Sequence, residues 1–416
     1  MRFILRTHGC RANQYDSEAA RAMLIESGAL EVTAAEDADV AIFNSCSVTA
    51  AAEAELRKDV RRAARENPRL RTVVIGCAPG LSARDENAAP LMTLPTVSDS
   101  LAGADLDLLA STLGVARAPG ASAGSAQTGS RALLRIQDGC DEHCTFCATT
   151  LARGSNRSRP ELELISEAEA LARTHSEIVL TGIHIGSYGM DIGTSLSALV
   201  ERLVSSVSSA RFRLSSLEAT EVDDRLCELL SEGARLAPYL HAPLQSGSDR
   251  ILKRMGRHWY SAESYASRVE RIFGNRTVFG LGADVICGFP GETELDHRAT
   301  VELVERLPFT SLHVFRYSPR PGTAALRLAG DVGSPDSDRR SAELRALAIR
   351  KAAAYRASRV GGLADVVAIT SRVGLTEDYL SVEVSGTSVR RRERFAARLS
   401  ENRGRLAATP LSIDAS

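Results

Sequence analysis

The feature that most constrains this chain is a cysteine triplet. Asp138-Gly139-Cys140-Asp141-Glu142-His143-Cys144-Thr145-Phe146-Cys147 places three thiols in C-x3-C-x2-C spacing directly after a strand-like run at residues 133–136. Three thiolates on one short loop can hold three irons of a cubane cluster and leave the fourth without a protein ligand. An open iron is a chemical site, because a small molecule chelates there. A structural zinc wants four ligands, usually as two paired knuckles, and no second pair stands at a suitable distance.

The triplet opens a long alternation of strand and helix. Strand patterns at 133–136, 178–181, 212–217, 239–244, 282–287 and 312–317 are separated by helical patterns at 160–173, 196–207, 223–232, 262–273 and 294–306. Such alternation predicts an α/β fold with a parallel sheet, open or partly closed as an incomplete (β/α)6 barrel. Upstream, strand patterns at 2–7, 40–44 and 72–75 enclose helical ones at 16–26 and 50–64, which predicts a small parallel α/β domain. Residues 114–130 are small and without periodicity, the composition of a flexible linker. An Arg/Ala-rich helix over 341–359 precedes a tail with β-type alternation around 365–370 and 379–384. Domains are expected over 1–115, 131–358 and 359–416, with the linker at 116–130 and a small β domain at the end. Phe289-Pro290-Gly291-Glu292 reads as a strand-to-helix turn with Glu292 serving the helix N-terminus.

Net charge is -1, from 51 basic and 52 acidic residues, which excludes a globally basic polymer binder but not a local RNA-binding face. No apolar run approaches the ~18–20 residues that span a bilayer, and the start, Met-Arg-Phe-Ile-Leu-Arg, is no signal peptide. A cytoplasmic protein without membrane contact is expected. In a reducing cytosol, clustered cysteines read as metal ligands or catalytic groups.

Three further cysteines, Cys10, Cys46 and Cys77, each follow a strand pattern. The carboxyl ends of parallel strands converge on one crevice, so these distant residues would meet at one point. The alternative is three buried cysteines packing as small hydrophobes. Cys287 and Cys227 lie in apolar and helical patterns and read as core.

The loop at 140–147 resembles the signature of radical S-adenosylmethionine (SAM) enzymes. The resemblance implies that the open iron binds SAM and that one electron cleaves it to a 5′-deoxyadenosyl radical. Gly9-Cys10-Arg11-Ala12-Asn13-Gln14, Asn44-Ser45-Cys46-Ser47-Val48-Thr49 and Gly76-Cys77 resemble the three N-terminal cysteine motifs of the methylthiotransferase family. In that family they carry an auxiliary [4Fe-4S] cluster. The resemblance therefore implies two [4Fe-4S] clusters, on Cys140, Cys144 and Cys147 and on Cys10, Cys46 and Cys77, with SAM as cofactor. Segments at 180–189, 211–218, 244–249, 284–293 and 313–323 are similar to the branch that modifies N6-threonylcarbamoyladenosine at tRNA position 37.

The implied reaction replaces the C2–H of the adenine with a methylthio group. Phe146 stands where the superfamily places a residue near the adenine of SAM. Thr181 and Gly182 end a strand where backbone can approach a ligand, and Glu218 and Gln245 end strands on the same face, placed for SAM or as a polar lid. Arg153, Arg157 and Arg159 form a basic loop suited to phosphates of an anticodon stem-loop, or else a solvated loop paired with Glu161 and Glu163. The tail resembles the small RNA-binding β-barrel that ends these enzymes, with Arg390, Arg391 and Arg392 supplying charge. Implied partners are tRNA and an electron donor such as flavodoxin or ferredoxin, with the chain a monomer. Two departures stand out: Ala148-Thr149-Thr150 replaces the Ile-Pro pair usual after the third cysteine, and Ala78 follows Cys77 where an aromatic is common. Sibling activities on a ribosomal-protein aspartate or on isopentenyladenosine, and a non-catalytic iron–sulfur RNA-binding or sensor protein, are the alternatives.

Overall fold

Residues 40–45, Val-Ala-Ile-Phe-Asn-Ser, are all buried, as a parallel strand covered on both faces must be. The structure, a computed structural model, describes residues 1–46, 50–82, 90–103, 105–116, 127–233, 235–274, 276–386 and 389–411. Among these, strands β1 (Arg2–Thr7), β2 (Leu30–Glu31), β3 (Val40–Ser45), β4 (Arg71–Gly76) and β5 (Val97–Ala102) form a parallel sheet in the order β2-β1-β3-β4-β5. Helices α1 (Arg11–Glu26), α2 (Ala50–Glu66), α3 (Cys77–Ser82) and α4 (Leu106–Leu113) accompany it. Phe3, Ile42, Val73 and Ile75 pack on α1 and α4, whereas Ile4, Phe43 and Val74 pack on Leu56 and Val60 of α2. The period of two thus feeds two cores. Register pairs Thr7 with Asn44 and Ser45 with Gly76, so the three central strands end level. Strands β2 and β5 go beyond the sequence expectation: the first has two residues and the second, Val-Ser-Asp-Ser-Leu-Ala, is half polar.

The second unit carries β6 (Ala132–Arg135), the short antiparallel pair β7 (Gln137–Asp138) and β8 (Arg157–Ser158), α5 (Thr149–Arg153), and parallel strands β9 (Glu177–Thr181), β10 (Arg211–Leu214), β11 (Tyr239–His241), β12 (Gly280–Cys287) and β13 (Ser311–Arg316). Two three-stranded sheets, β10-β9-β6 and β11-β12-β13, are joined by parallel bridges from Phe212 to Leu236 and from Ser216 to His241. The result is the expected incomplete barrel, with one continuous apolar core between strands and outer helices. The helix Glu294–Arg306 is capped by Thr293, whose side chain bonds Asp296 N, and not by Glu292. Glu292 instead accepts from Gly288 N at 2.8 Å and pairs with Arg340 of the long helix Ser334–Arg359, because burial leaves its carboxylate needing a cation. Of the expected linker, 117–126 lie outside the described residues. Its end is anchored: Gln127 is buried and exchanges two hydrogen bonds with Leu133.

The tail closes a barrel of β14 (Leu363–Ala368), β15 (Val373–Thr376), β16 (Ser381–Val384), β17 (Arg394–Asn402) and β18 (Arg405–Pro410), in the order β14-β15-β16-β18-β17. It docks through fully buried charges. Glu177 accepts from Arg211 Nε at 2.8 Å and from Arg213 Nε at 2.9 Å. The same guanidiniums donate to the carbonyls of Asp365, Glu377 and Thr376 at 2.8, 2.9 and 3.1 Å. Burial opposes the charge on Glu177, but the two arginines outweigh it and hold the carboxyl well below its usual range. The lowered pKa makes this stabilisation complete above about pH 5 and lost as pH falls through the carboxylate range. Removing one partner of a buried pair costs about 3 kcal/mol or more. Arg213→Met is therefore expected to lower the urea midpoint and to expose the segment before β14 to trypsin, read by the time course of limited proteolysis at pH 7.

Candidate functional site

The level ends of β1, β3 and β4 deliver Cys10, Cys46 and Cys77 to one edge of the first sheet. Glycine makes the approach possible. Gly9 has φ +137°, and a Cβ there would lie 2.5 Å from Cys46 Cβ; Gly76, at φ +99°, faces Ser45 O at the same distance. A buried amide pair fixes the loops: Asn13 Nδ2 donates to Asn44 Oδ1 and Ser45 O, both at 2.8 Å, and Asn44 Nδ2 returns a bond to Asn13 O. Cys10 Sγ donates to Asn13 Oδ1 at 3.1 Å. Burial pushes the Cys77 thiol up to about 11; Arg153 opposes this, and the Cys10 and Cys46 thiols add to it. A metal group that displaces the proton of a buried thiol such as Cys77 binds it as the thiolate. The donor set fits an iron–sulfur group.

The triplet loop crosses the barrel mouth. Cys140 N donates to Gly154 O at 3.0 Å, and its Sγ lies 3.8 Å from His184 Nδ1. Burial works against charge on His184, yet the Cys140 sulfur and Glu221 outweigh it and raise the imidazole to about 10. Arg257 Nη1 donates to Cys144 Sγ at 3.5 Å. Burial lifts the Cys144 thiol to about 12 against the pull of Arg257, and the Cys147 thiol adds to the rise. This trio fits an iron–sulfur group for the same reason.

Beside the loop lies a cavity of about 170 Å3 bounded by Phe146, Cys147, Gln245, Asp284, Ile286, Phe315 and Arg316. Phe146 packs edge-on against Phe289 at 6.3 Å, so it both lines the cavity and supports its floor. Gln245, at φ +64°, turns the chain out of β11 toward β12. Asp284 and Arg316 make one wall polar, and Asp284 accepts from His241 Nε2 at 3.1 Å and His313 Nδ1 at 3.2 Å. Glu218 is nearly buried and paired with Arg257, and it accepts from Trp259 Nε1 at 2.6 Å.

At Thr181 and Gly182 the structure corrects the expectation of an open approach for a ligand. A Cβ on Gly182 would meet Gln137 Oε1 at 2.8 Å, and that oxygen takes the N–H groups of Ile183 and His184. The close approach is made by the chain's own Gln137, which also donates to Gly139 O and so ties this loop to the cysteine loop. Thr181 Oγ1 is buried without a hydrogen-bond partner.

The basic loop is likewise divided. Arg153, expected on RNA, is buried with Asp16 at 2.7 Å, Asp138 at 3.1 Å and Cys77 Sγ at 3.3 Å. Arg159 is turned inward onto Glu167 at 2.8 Å and Tyr15 Oη at 3.1 Å. Arg392 donates to Gln127 O and Gly129 O, holding the linker end instead of reaching outward. Each is drawn in by a carboxylate or carbonyl that burial would otherwise leave unpaired. Arg157, Arg390 and Arg391 remain exposed, although Arg391 Nη2 also donates to Thr128 O at 2.5 Å. Asn13, Gln137, His184 and Arg257 were missed; Asn13, three residues after Cys10, carried the one local signal.

Comparison with known proteins gives matches over nearly the whole chain. The model of "Uncharacterized protein family UPF0004" matches residues 2–93, and that of the Radical SAM superfamily matches residues 134–304. A Thermotoga maritima protein named threonylcarbamoyladenosine tRNA methylthiotransferase is 36% identical over 81% of this chain and 79% of its own length. The protein of that name from Bacillus subtilis is 32% identical over 92% of this chain and 90% of its own. A tRNA-2-methylthio-N(6)-dimethylallyladenosine synthase from Cereibacter sphaeroides is 34% identical over 86% and 85%. Among solved structures, the radical SAM methyltransferase TsrM from Kitasatospora setae shares the fold, with TM-score 0.59 at 14% identity over 78% of this chain and 76% of that one. No helix among the described residues is long and apolar enough to cross a membrane.

Two separate donor sets give a direct expectation for metal content. After anaerobic reconstitution, Cys144→Ala and Cys46→Ala should each lose about four irons per chain, measured as iron and acid-labile sulfide. Iron unchanged in both variants would dismiss both sites.

Proposed function

This chain belongs to the radical SAM methylthiotransferase family, and from that membership we propose that it attaches a methylthio group to C2 of N6-threonylcarbamoyladenosine at position 37 of tRNA. The observation that carries the reading is a contact that links the cysteine-bearing segments: Arg153, the last residue of the helix that follows Cys147, donates to Cys77. Cys140, Cys144 and Cys147 are assigned to the SAM-binding [4Fe-4S] cluster, and Cys10, Cys46 and Cys77 to an auxiliary one. A cluster with SAM supplies, when bound, the one-electron chemistry that removes hydrogen from an unactivated carbon.

The chain's own residues prepare that site. Arg257 and His184 offer N–H groups to Cys144 and Cys140 and so favour charge on those sulfurs. Phe146 and Gln245 bound the cavity, and we assign them to SAM. Asp284 and Arg316 give that cavity a polar side, which accommodates a substituent carrying a carboxylate and a hydroxyl. The threonylcarbamoyl substrate is preferred to the dimethylallyl substrate of the sibling relatives on the likeness to the Thermotoga maritima and Bacillus subtilis proteins named for it. Arg157, Arg390 and Arg391 are assigned to RNA phosphates, each weakening binding and its salt dependence when removed.

Nucleoside mass spectrometry of tRNA from a deletion strain tests the substrate. The strain should lack 2-methylthio-N6-threonylcarbamoyladenosine and regain it with this chain but not with Cys144→Ala or Cys77→Ala. Loss of the methylthio-dimethylallyl nucleoside instead would transfer the activity to the sibling substrate.

A further inference from the structure

Arg153 and Gly154 link the two cysteine sets. It ends α5, and its side chain is 1% exposed. Nε donates to Cys77 Sγ at 3.3 Å, one Nη to Asp16 at 2.7 Å and Asn13 Oδ1 at 3.4 Å, and the other Nη to Asp138 at 3.1 Å. Asn13 Oδ1 also takes the Cys10 thiol, so one guanidinium reaches Cys77 directly and Cys10 through a single amide. The adjoining Gly154 carbonyl accepts from Cys140 N. Two consecutive residues therefore contact a cysteine of each set.

The surrounding charges do not cancel. Asp16 and Asp138 are shared among Arg135, Arg153 and Arg157, with Arg135 at 2.5 Å from Asp16 and Arg157 at 3.6 Å from Asp138. Arg153 thus shares both carboxylates with other arginines, so its own charge is only partly offset where it meets Cys77. An arginine does not shed its proton to relieve this, and a cationic N–H on a ligand sulfur stabilises the more reduced, more negative state of an iron–sulfur group. The backbone fit is equally tight: a Cβ on Gly80 would meet Ala152 O at 3.2 Å, and Cys77, Leu81, Ala148 and Ala152 form one small core.

We propose that Arg153 is a positioning residue for the auxiliary cluster, fixing Cys77 against the triplet-bearing domain and raising the reduction potential of the group that Cys10, Cys46 and Cys77 hold. This rests on the assignment of an auxiliary cluster made above.

The test isolates that cluster. In the full chain carrying Cys140→Ala, Cys144→Ala and Cys147→Ala together, the remaining iron reports the auxiliary site, and its midpoint is read by EPR-monitored redox titration. Arg153→Gln keeps a donor but removes the charge, and is expected to shift the midpoint downward. Arg153→Lys keeps the charge and is expected to restore most of the shift. In the reciprocal background of Cys10→Ala, Cys46→Ala and Cys77→Ala, Arg153→Gln should move the midpoint less. A midpoint unchanged in Arg153→Gln, or iron lost equally from the Gln and Lys variants, overturns the proposal by reducing Arg153 to a packing role. No iron in the auxiliary-only protein with Arg153 intact would instead remove the cluster assignment itself, and the proposal with it.

Discussion

The contact between α3 and α5 is governed by the cost of burying a permanent cation. Arg153 keeps its charge inside the protein, so carboxylates must be brought to it. They come from two places, Asp16 on α1 and Asp138 on β7. The first sheet and the incomplete barrel therefore meet at this point and in this orientation. Small residues at Gly80, Ala148 and Ala152 let the backbones close around it. The strand ends carrying one cysteine trio then face the loop carrying the other.

The same device holds the tail. Glu177 satisfies Arg211 and Arg213, which in turn satisfy carbonyls of the terminal barrel. Tyr379, at φ +75° in the turn before β16, stacks on Tyr239 with ring centroids 4.5 Å apart. Its hydroxyl takes Arg11 Nη2 at 2.7 Å, directly beside Cys10. The terminal barrel is thus in contact with both the central strands and the auxiliary cysteine loop. Its position relative to the cavity is set by buried polar contacts, which are specific in direction where apolar packing is not.

Much of this was legible in one dimension. The six central strands follow from apolar runs at regular spacing, and the cysteine-bearing strands from short runs ended by glycine or polar residues. Strands β2 and β5 were not legible, because one is two residues long and the other lacks an apolar face. Arg153, Arg159 and Arg392 were misread for a different reason. An arginine on a loop carries no mark of whether its partner is a phosphate or a group of its own chain, whether that is Asp16, 137 residues from Arg153, the Gln127 carbonyl, 265 from Arg392, or Glu167, 8 from Arg159.

Cysteine spacing and strand–helix periodicity, both local, determined the kind of fold and the two candidate donor sets, and the family chemistry came from motif resemblance. The tertiary structure alone decided that Gln137 fills the space at Gly182, that Asp284 gathers two histidines, and that Arg153 links the cysteine sets. Those outcomes depend on which distant groups share a low-dielectric interior, where an unpaired charge or amide is costly. Pairing of that kind has no period along the chain.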